Sequence, residues 1–316
     1  MAEPISSPPT APATTTARAY GLLGLALLIL GFAPLLVRYA RAASGPVIAA
    51  YRMTGAWLVI TPWVLHRLRQ GERLRWGRPV GWALLGGACF GLDLALWSTG
   101  VTVGNATTPT LMVNTSPVWV GLATRFLWRE PLPRRFWPAV GLMLVGAALV
   151  LTRGQLSALA WDQGAWLGLV AALFFSGYQL AAQRARTQVP TVWAFWLTTA
   201  GAMAVLWPWV WLARLPWRGF DGPTWAALAA LAVVVQSGGW LLIQEVQGHL
   251  PAAIIAPVLL GQPVLTAGLA AWLLGERLSR WQWVGAGLVL FSIYLVVMPT
   301  PRPAARQGRM NNSREQ

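Results

Sequence analysis

The chain contains little charge and no lysine. Charged residues make up 10% of the 316 residues, against roughly 25% in a typical soluble domain, and every basic residue is an arginine. A single cysteine, Cys89, excludes an intrachain disulfide framework and a thiolate metal site, and we expect it to be a small buried residue. Neither a zinc-protease pattern nor a nucleotide-binding P-loop occurs. The sequence therefore predicts no catalytic residues, metal or cofactor.

Long apolar segments dominate the chain instead. Hydrophobic residues make up 56% of it, and segments of about 20 apolar residues recur, each able to cross a hydrocarbon core of about 30 Å as a helix. None alternates between apolar and polar residues as the strands of a membrane barrel do. The sequence predicts an all-α membrane protein whose ten transmembrane helices cover residues 20–37, 47–65, 80–98, 107–127, 137–152, 164–183, 191–212, 223–247, 252–274 and 282–298.

The arginines are concentrated between these helices and in the two tails. If the N-terminus lies in the cytoplasm, more than twice as many arginines fall on the cytoplasmic side as on the other, and Arg52 falls inside the second helix. Membrane insertion favours this asymmetry. The placement of the arginines therefore predicts two cytoplasmic termini and a lipid bilayer as partner, and with this placement the net charge of +15 does not indicate nucleic-acid binding.

Residues 21–152 recur as residues 167–298 at a constant shift of 146 positions, without a gap. Because each copy holds five predicted helices, an odd number, the second copy enters the membrane from the opposite face. Such inverted repeats commonly support alternating access to a site near the middle of the membrane. Matched pairs include Gly31 with Gly177, Pro62 with Pro208, Pro117 with Pro263 and Trp137 with Trp283.

The two copies and the composition of the ends divide the chain into five segments. Residues 1–19, rich in Pro, Ser, Thr and Ala, and residues 299–316, polar with several arginines, are predicted to be disordered tails. Residues 20–152 and 164–298 are predicted to be the first and second five-helix repeats. Residues 153–163 link them.

Each copy carries a related motif near its end. Thr115-Ser116-Pro117-Val118 precedes Glu130-Pro131-Leu132, and Gln262-Pro263-Val264 precedes Leu274-Gly275-Glu276-Arg277-Leu278. This order resembles the EamA repeat of the drug/metabolite transporter (DMT) superfamily, which ends in a proline-containing helix, a Leu-Gly-Glu-x-Leu turn and a glycine-bearing last helix. The first copy departs from the motif, with Trp128-Arg129 in place of Leu-Gly. We expect both motif glutamates to be structural. The resemblance implies ten helices in a bacterial inner membrane and movement of small metabolites, often outward.

Pro117 and Pro263 lie near the middle of the fourth and ninth predicted helices. A proline inside a helix removes one backbone hydrogen bond and disrupts the preceding turn, and such breaks in membranes usually face protein or a water-filled cavity. Asn114 and Gln262 lie beside the two prolines. We expect helix breaks at both prolines with the two amides lining a cavity; the alternative is a pair of kinks that only improves packing.

Arg52 and Asp93 are charged residues inside the second and third predicted helices, at similar depth. Buried membrane charges usually pair and often mark function, which suggests an ion pair between these helices. At the repeat shift the two positions match Thr198 and Gly239, so neither charge belongs to the shared scaffold. Charge recognition or ion coupling is one interpretation. The other is a structural pair in which Arg52 extends outward to the membrane surface.

Several aromatic and amide residues adjoin small or polar neighbours inside the predicted helices. Trp97, Tyr178 and Trp240 have such neighbours, and Gln179 and Gln236 add polarity to the second repeat. Aromatic faces beside amides suit an amphipathic, partly apolar metabolite. These five residues are therefore predicted to contact substrate, together with the two amides beside the prolines. Ordinary packing is the alternative for each aromatic ring.

These observations predict a secondary transporter that moves a small metabolite, such as an amino acid or a similar amphipathic compound, across the inner membrane by alternating access. Export is the expected direction, and both a monomer and a homodimer remain open. A scaffold or receptor that does not transport is one alternative. An intramembrane enzyme is another, but it needs a nucleophile–base pair or a metal cluster at shared depth, and Asp93 with Ser98 and Thr99 is too small a set.

Overall fold

The structure is a computed structural model, and it describes residues 13–103, 107–155, 157, 159, 161–275 and 277–298. Regular structure in these ranges is helical, and no strand occurs among them. Ala123–Leu127 and Leu231–Trp240 are π-helical and continue the helices before them. The α-helices are α1 (Ala13–Gly31), α2 (Ala33–Tyr39), α3 (Gly45–Arg69), α4 (Arg78–Val103), α5 (Thr107–Val113), α6 (Ser116–Leu122), α7 (Phe136–Thr152), α8 (Gln163–Arg186), α9 (Thr191–Leu212), α10 (Gly222–Ala230), α11 (Leu241–Val246), α12 (Ala252–Leu259), α13 (Gln262–Leu274) and α14 (Arg280–Val297).

Eight helical stretches of the described chain are long and apolar enough to cross a membrane. The prediction of an all-helical membrane protein is therefore confirmed. The fifth predicted span corresponds to α7, an apolar helix of 17 residues, and the fourth is divided among α5, α6 and the π-helical segment that follows. The eight stretches are Ala17–Val37, Gly45–Arg69, Arg78–Gly100, Gln163–Arg186, Thr191–Leu212, Gly222–Gln247, Ala252–Leu273 and Arg280–Val297.

Some predicted boundaries differ from the structure or lie beyond it. α1 begins at Ala13, before the predicted start at residue 20. Residues 1–12 and 299–316 of the predicted tails, and Glu276 of the second motif, lie outside the described residues. Glu130 of the first motif forms a partly exposed ion pair with Arg184 at 3.5 Å, a type of contact that contributes little to stability.

Among the described residues, three helices are interrupted inside the bundle, and the helix that follows each interruption has a proline in its first turn. Phe32 separates α1 from α2, Asn114-Thr115 separates α5 from α6, and Leu260-Gly261 separates α12 from α13. Proline stands in the first turn of α2, α6 and α13. A backbone N–H has no helical acceptor there, so the N–H that proline lacks costs no hydrogen bond, and the fixed φ of proline fits the helix. Pro117 and Pro263 thus lie directly after helix breaks. The break at Phe32 was not predicted, although a proline accompanies it too.

The bundle has two ends: the α2–α3 end, with residues 40–44, and the α3–α4 end, with residues 70–77. α4 runs from the α3–α4 end to the α2–α3 end, and α8 runs beside it in the opposite direction, because Gly100 near the end of α4 lies against Gly164 at the start of α8. α1 and α2 also lead to the α2–α3 end. The first helices of the two repeats therefore run in opposite directions.

Matched positions of the two repeats form corresponding contacts near the helix breaks. Gln262 Nε2 donates a hydrogen bond to the carbonyl of Leu30 at 3.1 Å, and Ser176 Oγ donates to the carbonyl of Ser116 at 3.0 Å. At the repeat shift, Leu30 matches Ser176 and Ser116 matches Gln262. The same two repeat positions are therefore hydrogen-bonded in both places, but the position that donates in one bond accepts in the other. Pro34 leaves the Leu30 carbonyl without a helical donor, and Gln262 supplies one.

Glycines bring α4 close to its neighbours. A Cβ built on Gly87 would lie 2.1 Å from the carbonyl oxygen of Thr198, and one on Gly201 would lie 2.3 Å from that of Leu84. Small residues allow membrane helices to approach at the backbone. The position that matches Gly87 in the second repeat is Val233, whose side chain is exposed. The third helices of the two repeats therefore pack differently.

Candidate functional site

Arg52 links the two repeats through a buried hydrogen bond. The side chain lies on α3 and is 6% exposed, and its Nη2 donates to Gln236 Oε1 at 3.0 Å. Gln236 is also buried and belongs to the π-helical segment Leu231–Trp240; π-helical turns are rare and occur frequently at functional sites. Arg52 Nε is buried and has no partner in the described chain, so the guanidinium retains an unused donor.

Asp93 lies on α4, near enough to Arg52 for the two charges to attract each other. Its side chain is 5% exposed, and its Oδ1 has no hydrogen-bond partner among the described residues. Within those residues the two side chains form no salt bridge. The direct ion pair that the sequence suggested is therefore not formed, because Arg52 reaches across to the Gln236 amide of the other repeat instead.

A cavity of about 160 Å³ opens at the α2–α3 end, between α2, α3 and α4. This cavity, the Arg52 pocket, has among its lining residues Arg41, Gly45, Arg52, Leu94, Trp97 and Ser98. Trp97 is half-buried, and its Nε1 donates to Thr110 Oγ1 at 3.2 Å, which orients the indole ring. Of the residues predicted to recognise substrate, Arg52 and Trp97 are the ones that line this pocket.

Four aromatic rings pack together in the interior of the bundle; this aromatic cluster consists of Phe90, Phe175, Tyr178 and Trp240. The ring of Phe90 lies 4.5 Å from that of Tyr178 and 4.6 Å from that of Trp240, and Phe175 lies 6.0 Å from both of the latter. Such ring pairs contribute about 0.5–1.5 kcal/mol each beyond their burial. Tyr178 and Trp240, predicted to contact substrate, here contact each other and the two phenylalanines.

Gln179, Gln244 and Gln247 form a glutamine cluster nearer the α3–α4 end. Gln247 Nε2 donates to Gln179 Oε1 at 3.0 Å, and Gln244 Nε2 donates to Thr198 Oγ1 at 3.2 Å. The Tyr178 hydroxyl interacts with Gln244 and Gln247. Gln179 Nε2 and the Oε1 atoms of the other two glutamines are buried without a partner in the described chain. Gln247 was not predicted, since a glutamine near a helix end resembles an interfacial residue.

The two amides beside the prolines have different surroundings. Asn114 lies in the turn between α5 and α6, and its Nδ2 is buried without a partner in the described chain. Gln262 is half-buried, and its amide donates to the Leu30 carbonyl, while Thr266 Oγ1 donates to the Gly31 carbonyl at 3.1 Å. Gln262 and Thr266 therefore stabilise the break between α1 and α2.

The residues predicted from the sequence thus occupy several regions of the bundle. Arg52 and Trp97 line the Arg52 pocket, with Asp93 and Gln236 near Arg52. The remaining residues lie in the aromatic cluster, in the glutamine cluster and at the helix breaks. No group of three or more His, Cys, Asp or Glu that could hold a metal ion occurs among the described residues.

These features define the class: a multi-pass helical membrane protein that contains one helical unit twice and buries polar side chains in its interior. A solved crystal structure is similar in fold, with a TM-score of 0.72 and 17% sequence identity, covering 88% of this chain and 97% of the other. The model of the EamA-like transporter family matches residues 17–152 and again residues 162–298. The chain therefore belongs to the EamA-like transporter family, within the drug/metabolite transporter superfamily.

Curated relatives carry transporter names. The uncharacterized transporter sll1319 of Synechocystis sp. is 29% identical over 69% of this chain and 67% of its own length. The uncharacterized transporter YwfM of Bacillus subtilis is 23% identical over 78% of this chain and 81% of its own. A shorter relative, the probable 4-amino-4-deoxy-L-arabinose-phosphoundecaprenol flippase subunit ArnE of Klebsiella pneumoniae, is 35% identical over 27% of this chain and 73% of its own. The protein is accordingly a membrane transporter rather than an enzyme.

Proposed function

We propose that the protein is a secondary carrier that exports a small amphipathic metabolite, such as an amino acid, by alternating access across the bacterial inner membrane. In this proposal residues 20–152 and 164–298 form two inverted halves of five spans each. The interrupted stretch from α5 to Leu127 and the short helix α7 complete the first half. Both termini lie in the cytoplasm, because the arginine-rich segment 66–79 then lies inside.

The buried hydrogen bond between Arg52 and Gln236 carries this proposal. A charged side chain inside a membrane bundle is costly, and it usually faces a pathway or a partner. Here the charge lies where the two halves meet, and its bond joins α3 of the first half to the π-helical segment of the second. The repeat position that matches Arg52 is Thr198. A scaffold needs no such unmatched charge between its halves, whereas a carrier uses one to recognise cargo or a coupling ion.

The exchanged contacts at the helix breaks support alternating access. Inverted halves that are built alike can exchange roles between two states. The contact of Gln262 with Leu30 and the matched contact of Ser176 with Ser116 show the two halves built alike at their helix breaks. The Arg52 pocket opens at the α2–α3 end, and the aromatic and glutamine clusters fill the interior toward the other end. In this proposal the structure represents a state open at the α2–α3 end.

The chemistry of the lining favours an amphipathic cargo. The Arg52 pocket has Arg41 and Arg52 among its lining residues together with Trp97 and Leu94, so charged and apolar residues line the same space. The ArnE relatives are named for a cargo that joins an amino sugar to a lipid phosphate. That name concerns those proteins, and it agrees with an amphipathic cargo for this one.

Flux from proteoliposomes tests the carrier. Purified protein is reconstituted into vesicles loaded with a defined mixture of amino acids, small amines and small carboxylates, and released compounds are identified by mass spectrometry. We expect selective release of one or a few compounds in unchanged chemical form. Arg52→Gln should abolish it. Arg73→Gln, which removes an exposed arginine at the opposite end, should leave it intact.

Two results would contradict the carrier. Wild-type vesicles that release nothing faster than protein-free vesicles leave a scaffold or receptor as the better description. Equal release by wild type and a folded Arg52→Gln variant removes the buried hydrogen bond from the mechanism. Size-exclusion chromatography of each variant before reconstitution establishes that it is folded.

A further inference from the structure

The Arg52 pocket has the composition of an anion site. Arg41 and Arg52 both line it, and no acidic residue is among its lining residues. Arg41 is exposed at the mouth, whereas Arg52 is buried at the inner side. Arginine presents five N–H donors in a planar fork that matches the oxygen atoms of a carboxylate or phosphate. Two arginines at one small, otherwise mostly apolar cavity with no acidic lining residue therefore favour an oxyanion over a cationic group.

The start of α3 adds to this positive potential. α3 is 25 residues long and begins at Gly45 beside the pocket, with no acidic residue in its first turn. Its N-cap, Ser44, makes no side-chain capping bond, and Ser44 Oγ is buried without a partner in the described chain. The first turn of a helix leaves backbone N–H groups without helical acceptors, and its dipole attracts anions.

Arg52 supplies an independent observation that points to a ligand. Its Nη2 is used by Gln236, but its buried Nε has no partner in the described chain. An unpaired buried donor on a charged group is costly, so Arg52, which is among the residues that line the pocket, retains a hydrogen-bonding capacity that Gln236 does not use. Ser98 also lines the pocket, but its hydroxyl donates to the Leu94 carbonyl of its own helix at 2.6 Å and is not counted as a donor to the ligand.

Nearby acidic residues do not neutralise the pocket. Asp93 attracts Arg52 from outside the lining but forms no salt bridge with it in the described chain. Asp221 attracts Arg41, also from outside the lining. Hydrogen bonds donated by Thr224 hold the pKa of the Asp221 carboxyl below its usual range, so this attraction persists at neutral pH. Neither carboxylate is among the residues that line the cavity.

We propose that the Arg52 pocket binds a compact oxyanion, a carboxylate or a phosphate group, with the apolar part of the same ligand against Trp97. This assignment rests on the proposed carrier function and specifies the charge of the group that the carrier recognises. The cavity of about 160 Å³ is close to the roughly 150 Å³ that accommodates a benzene molecule in a protein interior. It therefore holds a head group or a small metabolite rather than a whole lipid.

Three probes of similar size and different charge test the assignment. Phenylacetate, phenylphosphate and phenethylamine each carry one aromatic ring, and only the first two are anions at neutral pH. Thermal unfolding of the full-length protein is measured in neutral detergent, because a ligand of the native state raises the apparent melting temperature. We expect both anions to raise it in a saturable manner and the amine to leave it unchanged.

Arginine variants locate the binding. Arg41→Gln should weaken the apparent affinity for the anions about tenfold, since charge-assisted hydrogen bonds are the stronger kind. Arg41 is exposed, so this variant tests the site even if Arg52→Gln fails to fold. A folded Arg52→Gln variant should lose the effect entirely. Arg73→Gln, with the same loss of charge at the α3–α4 end, should behave like wild type.

Nanodiscs distinguish the source of the anion. If the natural oxyanion is a lipid head group, discs with phosphatidylglycerol should stabilise wild type more than Arg41→Gln, relative to discs of phosphatidylcholine. If it is a soluble metabolite, disc composition should have no such effect and the soluble anions should still bind. The assignment is overturned if the anions and the amine raise the melting temperature equally. It is also overturned if Arg41→Gln binds the anions as tightly as wild type does. If the protein shows selective flux but binds no anion, the anion site is refuted and the carrier function stands. If it binds the anions but shows no flux, the carrier function is refuted and the anion site stands.

Discussion

Arg52 and Asp93 are charged residues buried inside the bundle, at 6% and 5% exposure. Removing an ion from water costs several kcal/mol even after relaxation, and neither side chain recovers this through a direct salt bridge. Arg52 has one amide partner, and Asp93 Oδ1 has none in the described chain. Groups held this way are available for a ligand or a proton, which is the property that a coupled carrier requires.

Asp93→Asn tests whether this carboxylate carries a coupling proton. The asparagine keeps the shape of the side chain and removes the titrating group. We expect flux driven by a pH gradient to be abolished while counterflow exchange of the same compound continues. Asp162→Asn is the matched control, because asparagine caps a helix as well as aspartate does and Asp162 caps α8 through the Ala165 amide; its flux should be unchanged.

Two outcomes would reject the coupling role of Asp93. One is pH-driven flux that persists in the variant at the wild-type rate. The other is that Asp93→Asn alone fails to fold, whereas the double variant that also carries Arg52→Gln folds again. That pattern identifies a purely structural pairing of charges, as a double-mutant cycle does.

At the scale of helices, α4 and α9 pack through close backbone contacts at glycines. Gly87 lies against the Thr198 carbonyl, and Gly91 lies against Ala202, so α4 and α9 approach where any side chain would interfere. Hydropathy predicted these helices, but it gives no sign of which glycines are contacts. Gly141 on α7, by contrast, has no atom within 4 Å of a Cβ built on it.

Alanine substitutions separate the two kinds of glycine. Gly87→Ala places a methyl group 2.1 Å from the Thr198 carbonyl oxygen, and we expect destabilisation of about 1–3 kcal/mol, as for overpacked cores. Gly141→Ala meets no atom and should be neutral or stabilising by up to about 1 kcal/mol, because alanine favours helix. Thermal unfolding in detergent measures both. Equal melting temperatures for the two variants contradict the packing of α4 described here.

At the scale of the whole molecule, the proposed inversion makes a topological prediction. Arg134 and Arg280 are matched repeat positions, and both side chains are exposed. Arg134 precedes α7 and lies next to Arg135, which contacts Met298 after α14. Arg280 begins α14, at the other end of that helix. Matched positions of parallel repeats share one side of the membrane, whereas those of inverted repeats lie on opposite sides.

Cysteine labelling tests that prediction. In a Cys89→Ala background, Arg134→Cys and Arg280→Cys are exposed to a membrane-impermeant maleimide in spheroplasts and in inverted vesicles. We expect Arg134→Cys to react only in inverted vesicles and Arg280→Cys only in spheroplasts. Arg73→Cys, at the α3–α4 end, should follow Arg134→Cys. Labelling of positions 134 and 280 from one common side is incompatible with inverted halves.

The amino-acid sequence by itself determined the helical membrane class, the duplication and the family. These properties follow from composition, from apolar segments of spanning length and from a repeat that needs no coordinates to detect. It also located two of the helix breaks, because proline acts on its own backbone and the preceding turn. The sequence equally singled out Arg52 and Asp93, since a charge inside an apolar span is visible without a structure.

Only the tertiary structure decided which of these side chains meet. Hydropathy gives the length of a helix but leaves its rotation and its neighbours undetermined, particularly where the apolar surface extends around the helix. Arg52 therefore bonds to Gln236 rather than to Asp93, Gln262 stabilises a break in α1, and Tyr178 and Trp240 pack with Phe90. Each of these contacts joins residues distant in sequence, and the packing of whole helices against one another brings them together.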